Sequence, residues 1–400
     1  MTGKAYTSNA LRANISVTIG RHYGLDWLRI GAFALLILYH VGMVFAPWDW
    51  VVKSRVTYPA LIVPMAALTP WRLALLFAVS GYASRRLMMR GDLLAFLRNR
   101  SLRLLLPVGF ALVVLLPPEL WIRERLRGYD GSLWRYWSHD YWSVTPIHGL
   151  GFPSWEHMWF VVYLWAYTVA LVGLVAALGI PRLQRAGDWL AHGIRLLWVP
   201  IAILVTLKLA LMFEVPEQQG LTTDWTAHAE FAPLFLFGFV LGGSDVLMPA
   251  VHRFWKPAAV IALVTGIFAV WIELAYQGQH VPGHALMALD RAARLAMAWV
   301  MILLLVHIAT RFWNHDHPWR ATLAEAVFPI YVAHHLILMW LAWTTLPLDL
   351  PMPVEFALLL GGTTGLSLGV YLIGRRIPWL RPWIGLSAPK RAPAVKIATA

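Results

Sequence analysis

The chain has 400 residues, of which 59% are hydrophobic and only 13% are charged. A soluble domain is roughly 45–50% apolar and about 25% charged, so the composition excludes an ordinary soluble protein and predicts an all-α, polytopic membrane helix bundle. The formal net charge is +13, but the basic residues alternate with apolar runs, which argues against a nucleic-acid partner and favours topology signals. The absence of cysteine excludes disulfides, thiolate metal ligands and cysteine nucleophiles.

About ten transmembrane helices are predicted, because each crossing of the lipid bilayer needs about 20 apolar residues. The apolar runs lie near 25–46, 59–84, 102–118, 157–179, 196–213, 229–243, 257–276, 287–310, 322–344 and 354–374. The run at 229–243 is short and glycine-rich, so it is the weakest of the set. A single transmembrane domain at 24–376 is predicted, between a cytoplasmic N-terminal segment at 1–23 and a basic cytoplasmic tail at 377–400.

The first run, LDWLRIGAFALLILYHVGMVF, carries Arg29 and His40. Ionisable residues in a membrane span are costly, so function is the first hypothesis for them. A spacing of eleven residues turns a helix by about 1,100° and advances it by roughly 16 Å, which places both side chains on one face at different depths. The arginine suits phosphate or carbonyl groups of a donor, and the imidazole suits deprotonation of an acceptor hydroxyl. Snorkelling of Arg29 and simple packing of His40 are the alternatives.

The second run ends FAVSGYASRR, at positions 77–86. This motif brings together hydroxyl groups, a small residue that allows close approach of the backbone, and arginines that attract a polyphosphate such as coenzyme A. The donor-binding candidates in this motif are Ser80, Tyr82, Arg85 and Arg86. Helix packing by small residues and a positive-inside signal are the alternatives. The segment 84–103 contains six arginines and one acid, which predicts a cytoplasmic connection and places both termini in the cytoplasm.

The longest outward connection, about 117–156, is rich in tryptophan and tyrosine and includes Trp155. Aromatic faces beside polar groups can hold a sugar, with an interfacial aromatic belt as the alternative. The fourth run begins WEHMWFVVYLW, so Glu156 and His157 lie at its outward end. An acid can orient a neighbouring imidazole. Adjacent helix positions diverge by about 100°, however, so contact between these two side chains stays open.

The ninth run contains FPIYVAHHLIL. Tyr331 and His334 lie one turn apart on one face, with His335 rotated away, and which of the two histidines faces the site is left open. Further ionisable residues in or beside spans include candidates for structural ion pairs: Lys208, Glu273, Asp290, Arg291, Arg294, His307 and Glu325. No metal site is predicted, because His315-Asp316-His317 is interpreted as a polar loop and neither an H-E-x-x-H motif nor a P-loop is present.

Four motifs in order resemble the membrane acyltransferase 3 family: Arg29 followed after ten residues by His40, then FAVSGY, HMWFVVYL and PIYVAHH. The opening run and RSLRLLLPVGF look most like the glucan biosynthesis protein C, or glucan succinyltransferase, branch. The resemblance covers about 23–345. It implies an enzyme of the bacterial inner membrane that moves an acyl group, succinyl favoured and acetyl second, from cytoplasmic acyl-coenzyme A to hydroxyls of a periplasmic glucan or other carbohydrate. Acyl-coenzyme A is then a donor substrate, and no permanently bound cofactor is implied.

The resemblance also implies roles for individual residues. The catalytic candidates are His40, Arg29, His157 and Glu156. The donor-binding candidates are Arg29, Ser80, Tyr82, Arg85 and Arg86, and the substrate-binding candidates are Tyr331, His334 and Trp155. Direct attack with His40 as general base and a covalent acyl-histidine relay both stay open.

Arg291 or Arg294 is the candidate that would recognise a succinyl carboxylate. The alternatives to an enzyme are a transporter of a sugar or acyl substrate, with Arg29, His40, Glu273 and Lys208 lining its path, and a non-catalytic sugar-binding membrane protein. The oligomeric state stays open.

Overall fold

The computed structural model describes residues 23–143, 154–215, 219–278 and 280–387. Within these ranges the chain is built from α-helices and short helical turns, without a β-strand. The α-helices are α1 (Tyr23–Phe45), α2 (Ile62–Met88), α3 (Leu93–Phe110), α4 (Leu116–Leu126), α5 (Leu133–Ser138), α6 (Trp159–Leu178), α7 (Ile180–Leu190), α8 (Arg195–Leu211), α9 (Trp225–Leu241), α10 (Leu247–Ala275), α11 (His284–Phe312), α12 (Pro318–Thr345) and α13 (Met352–Gly374). Most of the predicted N-terminal segment and the tail after 387 lie outside the described residues.

The predicted all-α polytopic bundle is confirmed. In the described part of the chain, eight helical segments are long and apolar enough to cross a membrane, or nine if a bent pair of helices is counted as one span. The fifth predicted run lies on α8, which meets α7 at an angle of 109°. The sixth lies on α9, whose 17 residues fall short of a full span. The short glycine-rich run is therefore the one that lowers the count from the predicted ten.

The third span differs most from its prediction. Asp92 caps α3, accepting a hydrogen bond from the Ala95 amide at 2.7 Å, so the helix begins nine residues before the predicted run. A π-helical turn at Ala111–Leu115 joins α3 to α4, which continues to Leu126. Pro117 and Pro118 supply no amide donor to the preceding turn, and the carbonyls of Leu112 and Val113 accept instead from the Tyr141 hydroxyl and the Trp137 indole, each at 2.8 Å. The outward connection is correspondingly shorter than predicted.

The basic segment 84–103 is also mostly helical rather than a loop. It includes the end of α2, a connection of four residues at 89–92, and the first part of α3. Arg85 and Arg86 belong to α2, whereas Arg100 and Arg103 belong to α3. These guanidinium groups are thus carried by packed helices, which fixes their positions more firmly than a loop would.

The two ends of the bundle differ in composition. The basic end comprises the connections 89–92, 191–194, 242–246 and 313–317 and residues 375–387. The aromatic end comprises the connections 46–58 and 349–351 and the described parts of three others: 127–143 with 154–155, 212–215 with 219–224, and 276–278 with 280–283. Polar contacts tie helices together at each end: Arg320 pairs with Asp26 at 2.6 Å at the basic end, and Ser54 donates to Glu355 at 3.0 Å at the aromatic end.

Close backbone contact between α2 and α9 places the donor motif. A Cβ atom at Gly81 would collide with the carbonyl of Phe235, and one at Gly238 would collide with the carbonyl of Ala78. Small residues permit such contact between membrane helices. Gly81 therefore packs helices, and its neighbours Ser80 and Tyr82 are held beside α9.

Candidate active site

Two polar cavities enter the bundle from opposite ends. The aromatic-end cavity has a volume of about 1020 Å³ and is lined by His40, and the basic-end cavity has a volume of about 820 Å³ and is lined by Arg29. Phe160 lines both cavities. The shared-face, different-depth arrangement of Arg29 and His40 therefore places one of them in each cavity.

All five predicted donor-binding residues line the basic-end cavity: Arg29, Ser80, Tyr82, Arg85 and Arg86. Three further arginines join them: Arg90, Arg100 and Arg103. Arg29 donates from Nη2 to the Ala324 carbonyl at 3.0 Å, whereas its Nε is buried without a hydrogen-bond partner. Nη1 of Arg85 and Nε of Arg100 are likewise buried without a hydrogen-bond partner. Converging guanidinium donors of this kind suit a ligand with several phosphates.

A chain of hydrogen bonds fixes the proton on the His40 ring. His334 has Nδ1 at 2.6 Å from the Tyr331 carbonyl, which can only accept, so that nitrogen carries the proton. In neutral His334, Nε2 is then an acceptor, and it lies 3.0 Å from Nδ1 of His40. His40 must therefore donate from Nδ1. Its Nε2 is left unprotonated, as a general base or nucleophile requires.

His334 and His335 have different roles. His334 is fully buried, stacks on His40 with an angle of 9° between the rings, and does not itself line the aromatic-end cavity. His335 lines the aromatic-end cavity and lies edge-on to His40 with ring centres 5.3 Å apart. Trp50 stacks on the His40 ring at 5.5 Å. The histidine that faces the site is thus His335, and His334 positions His40.

Glu119 is the carboxylate of the histidine cluster. It is 1% exposed and accepts a hydrogen bond at Oε1 from Nδ1 of His335 at 2.8 Å. Its Oε2 lies 3.8 Å from Nδ1 of His157, whose Nε2 donates to the Val332 carbonyl at 3.3 Å. Both Oε2 of Glu119 and Nδ1 of His157 are buried without a hydrogen-bond partner. At 3.8 Å these two atoms are neighbours but do not form a hydrogen bond.

Glu119, His157 and His335 also offer ligand atoms that lie within 4.8 Å of one another. A tetrahedral zinc site needs bonds of about 2.0–2.2 Å from nitrogen and oxygen ligands, which places its ligands closer together than the widest pair here. The hydrogen bond between His335 and Glu119 already accounts for the arrangement. We therefore interpret the three residues as a proton-handling cluster.

The partner of the Glu156 carboxylate is Arg123 and not the adjacent His157. Its carboxylate accepts two hydrogen bonds from Arg123, at 2.9 and 2.6 Å, and one from Ser154 at 2.8 Å. The acid beside His157 is Glu119, which the sequence analysis assigned to a loop. Glu156 and Trp155 nevertheless line the aromatic-end cavity with His157.

Tyr331 lines the aromatic-end cavity and ties α12 to the start of α6. Its hydroxyl donates to the backbone carbonyl of His157. Its ring lies 5.6 Å from Phe33, 5.9 Å from Phe160 and 6.2 Å from Phe328. Phe33 and Phe328 line the basic-end cavity. We call these four residues the aromatic partition, because they lie between the two cavities.

Four of the ionisable residues proposed for succinyl recognition or a transport path lie outside both cavities: Arg291, Arg294, Glu273 and Lys208. Arg294 binds Asp290 at 2.7 Å and Glu273 at 2.9 Å, and with Arg291 it lines a separate cavity of about 200 Å³. Lys208 pairs with Glu230 at 3.1 Å. Neither Arg291 nor Arg294 lines the aromatic-end cavity, so their assignment to a succinyl carboxylate was wrong. The expectation of structural ion pairs holds for Arg294 and Lys208.

The aromatic connection after α4 packs mainly on itself. Tyr136 and Tyr141 are buried in a small cluster with Tyr129. Tyr129 donates to Asp140 at 2.5 Å. Desolvation and that bond raise the pKa of Tyr129 to about 12, and the same bond, with His139, lowers the pKa of Asp140. Residues 144–153 lie outside the described part of the chain. Among the described aromatic residues of this connection, Trp155 lines the cavity.

Comparison with known proteins decides the family. Residues 22–372 match the family model described as an acyltransferase domain, Acyl_transf_3. The chain therefore belongs to the acyltransferase 3 family. As a member of that family it is a multi-pass membrane acyltransferase that transfers groups other than amino-acyl groups.

Relatives of this acyltransferase 3 protein carry the name Glucans biosynthesis protein C. The protein from Salmonella gallinarum is 21% identical over 384 residues, which cover 92% of this chain and 95% of the relative. Those from Salmonella paratyphi B and Salmonella heidelberg are 23% identical over 166 residues, 40% of each chain. No solved structure gives a significant match.

Proposed function

We propose that this protein is an O-acyltransferase that moves an acyl group across the aromatic partition, from acyl-coenzyme A to a carbohydrate hydroxyl. One observation carries the proposal: polar cavities from opposite ends of the bundle meet at Phe160, with Arg29 in one and His40 in the other. Such an arrangement suits donor and acceptor substrates that approach from opposite sides of a membrane.

Donor binding is assigned to the basic-end cavity. Arg29, Arg85 and Arg100 each present a buried nitrogen without a partner, and coenzyme A carries phosphates that guanidinium groups bind well. The pantetheine arm would lie along the cavity with its thioester near the aromatic partition. Ser80 and Tyr82 supply polar contacts along that path.

The reaction is assigned to Nε2 of His40. The nitrogen removes the proton of an acceptor hydroxyl, whose oxygen attacks the thioester carbonyl carbon. The tetrahedral intermediate then collapses, the carbon–sulfur bond breaks, and the imidazolium returns the proton to the departing thiolate. His334 stabilises the imidazolium because its Nε2 accepts the other ring proton of His40. The products are an O-acyl carbohydrate and free coenzyme A.

The names of the relatives and the charge pattern support the finer assignments. Glucans biosynthesis protein C as a relative favours a glucan acceptor, with a succinyl donor preferred and acetyl as the second choice. The basic end would face the cytoplasm by the positive-inside rule, which places both termini inside and the aromatic-end cavity toward the periplasm. The proposed location is the bacterial inner membrane.

The test uses the full-length protein in lipid vesicles or nanodiscs. Succinyl- and acetyl-coenzyme A are supplied separately, with and without a glucan, while free thiol and the mass of the glucan are followed. Acceptor-dependent thiol release and a mass gain of one acyl group would support acyl transfer. Glucan or proton flux without thiol release would replace the enzyme with a transporter.

The same assay separates the two mechanisms. Direct attack by the hydroxyl gives no burst of thiol before acceptor is added, only slow hydrolysis of the donor. A relay through acyl-His40 gives a burst of up to one thiol per protein molecule without acceptor, together with a labelled histidine in the digested protein.

A further inference from the structure

Arg72 is a buried cation for which the histidine chemistry gives no role. It lies in the middle of α2, is 9% exposed and lines the aromatic-end cavity with His40. Its Nε and Nη1 are buried without a hydrogen-bond partner. A desolvated guanidinium normally pairs with an acid, because leaving the charge unpaired is strongly unfavourable.

The other arginines of this cavity already have acidic partners. Arg123 binds Glu156 through two hydrogen bonds, and Arg127 lies 3.8 Å from Glu124. Within the described residues, Arg72 lies within 4 Å of no carboxylate. The cavity therefore contains one guanidinium group whose fork of N–H donors is free for a ligand.

The position of the Arg72 side chain is fixed by an aromatic ring and not by an acid. Its guanidinium carbon lies 3.2 Å from the centre of the Tyr39 ring, a cation–π contact. The Tyr39 hydroxyl is fixed in turn by Thr69 at 3.0 Å. A charge that is buried, oriented and unpaired fits a binding site for an anion better than it fits a structural element.

We propose that Arg72 binds the terminal carboxylate of the acyl group while its thioester is attacked at His40, and so selects donors that carry a dicarboxylic acyl group. The inference rests on the proposed function, and it replaces Arg291 and Arg294 as the carboxylate-recognising residues. A planar guanidinium binds a carboxylate with two parallel hydrogen bonds.

The distances permit this role. Tyr39 contacts Arg72 at 3.2 Å, and the Tyr39 and His40 rings are 6.2 Å apart, so the sum of these values is an upper limit to the separation of guanidinium and imidazole. An extended four-carbon acyl group carries its carboxylate about 5 Å beyond the carbonyl carbon, given bonds of about 1.5 Å. The attacking atom stands about 3 Å from that carbon. A succinyl group whose carbonyl carbon is attacked at His40 can therefore reach the Arg72 guanidinium with its carboxylate.

A role for Arg72 at the carbonyl oxygen of the tetrahedral intermediate makes a different prediction. Stabilisation of that oxyanion would serve every acyl group equally. Recognition of a terminal carboxylate serves only acidic acyl groups. Donors of equal carbon number, with and without a carboxylate, therefore distinguish the two roles.

The experiment compares succinyl-coenzyme A with butyryl-coenzyme A on the full-length protein in lipid, for wild type, Arg72→Gln and Arg72→Lys. In Arg72→Gln we expect kcat/KM for the succinyl donor to fall about 30-fold and that for the butyryl donor to change less than about threefold. Arg72→Lys should lie between, because lysine retains the charge without the planar fork. Arg55→Gln is the matched control, since Arg55 is exposed at the same end and pairs with Asp349 at 3.5 Å.

Equal losses with both donors would overturn the inference and assign Arg72 to the intermediate. Unchanged preference in a folded Arg72→Gln protein would overturn it as well. A second readout works without turnover: the rise in unfolding temperature given by succinyl-coenzyme A should exceed that given by butyryl-coenzyme A, and Arg72→Gln should abolish the difference. If wild type transfers neither acyl group, the proposed function fails, and this binding arm still decides whether Arg72 recognises the carboxylate.

Discussion

The two cavities of this acyltransferase 3 protein hold their cations in different ways. The basic-end cavity is lined by six arginines and one acid, Asp26, and several of its guanidinium nitrogens lack partners. In the aromatic-end cavity the polar groups other than Arg72 form specific pairs and chains, such as His40 with His334 and Arg123 with Glu156. A surplus of charge suits binding of a large anion and tolerates the loss of one member. A hydrogen-bond chain that fixes one proton does not tolerate the loss of one of its residues.

The largest expected effect is at His40. Replacing His40 with alanine should lower kcat by about 10³-fold, within the range that a positioned base contributes, because His40 is the described histidine that lines the cavity with its tautomer fixed by His334. Initial rates of thiol release and glucan mass would measure the loss, and circular dichroism would show a folded protein. His252→Ala is the control, since His252 pairs with His307 at 2.8 Å outside both cavities. Equal losses in the two variants would argue against a special role for His40.

His334 should rank second. His334→Ala removes the acceptor of the His40 Nδ1 proton, so the ring loses its fixed tautomer and orientation, and we expect kcat to fall about 10²-fold with KM for both substrates nearly unchanged. His307→Ala serves as the matched control for loss of a hydrogen-bonded histidine. A rise in acceptor KM with unchanged kcat would instead make His334 a substrate-binding residue.

The basic-end cavity should respond more weakly to single changes. Arg85→Gln should raise KM for acyl-coenzyme A about tenfold and leave acceptor KM unchanged, because one charge-assisted contact of several is lost. The effect should shrink at high salt. Arg98 is exposed on the same helix as Arg100 and does not line the cavity, so Arg98→Gln should behave like wild type. A larger effect of Arg85→Gln on acceptor KM would contradict the division of the two cavities.

The smallest expected effect is at the aromatic partition. Phe160→Ala should raise hydrolysis of the donor without acceptor about threefold, since water from the aromatic end gains access to the thioester. Thiol release without glucan is the measurement. Phe254→Ala, another buried phenylalanine, controls for the general loss of core packing, and an equal rise there would show that the partition is not the cause.

Much of the architecture could be predicted from sequence because a bilayer imposes a simple length and hydropathy rule. The apolar runs identified the helices, and the arginine–histidine spacing placed Arg29 and His40 correctly on one face of α1. The third span was bounded too narrowly, because the apolar run ends near 118 whereas the helix continues through charged residues to Leu126. That error removed Glu119 from consideration as a buried residue.

The site itself depended on contacts between helices that are distant in sequence. Glu119 on α4 meets His335 on α12, and His40 on α1 meets His334 on α12. Glu156, adjacent to His157 in sequence, binds Arg123 instead. Local spacing shows which face of a helix a residue occupies, but the choice of partner follows from how the faces pack.

The sequence by itself determined the membrane bundle, the order of its helices, the family motifs and the separation of Arg29 from His40 by three helical turns, since all of these follow from composition and helical periodicity. Only the tertiary structure decided that the two residues face separate cavities, that His334 fixes the proton of His40, and that Arg72 has no acidic partner among the described residues. The physical reason is that hydrogen bonding, burial and the pairing of charges depend on how neighbouring helices lie in space. The amino-acid sequence alone contains no distances between those helices.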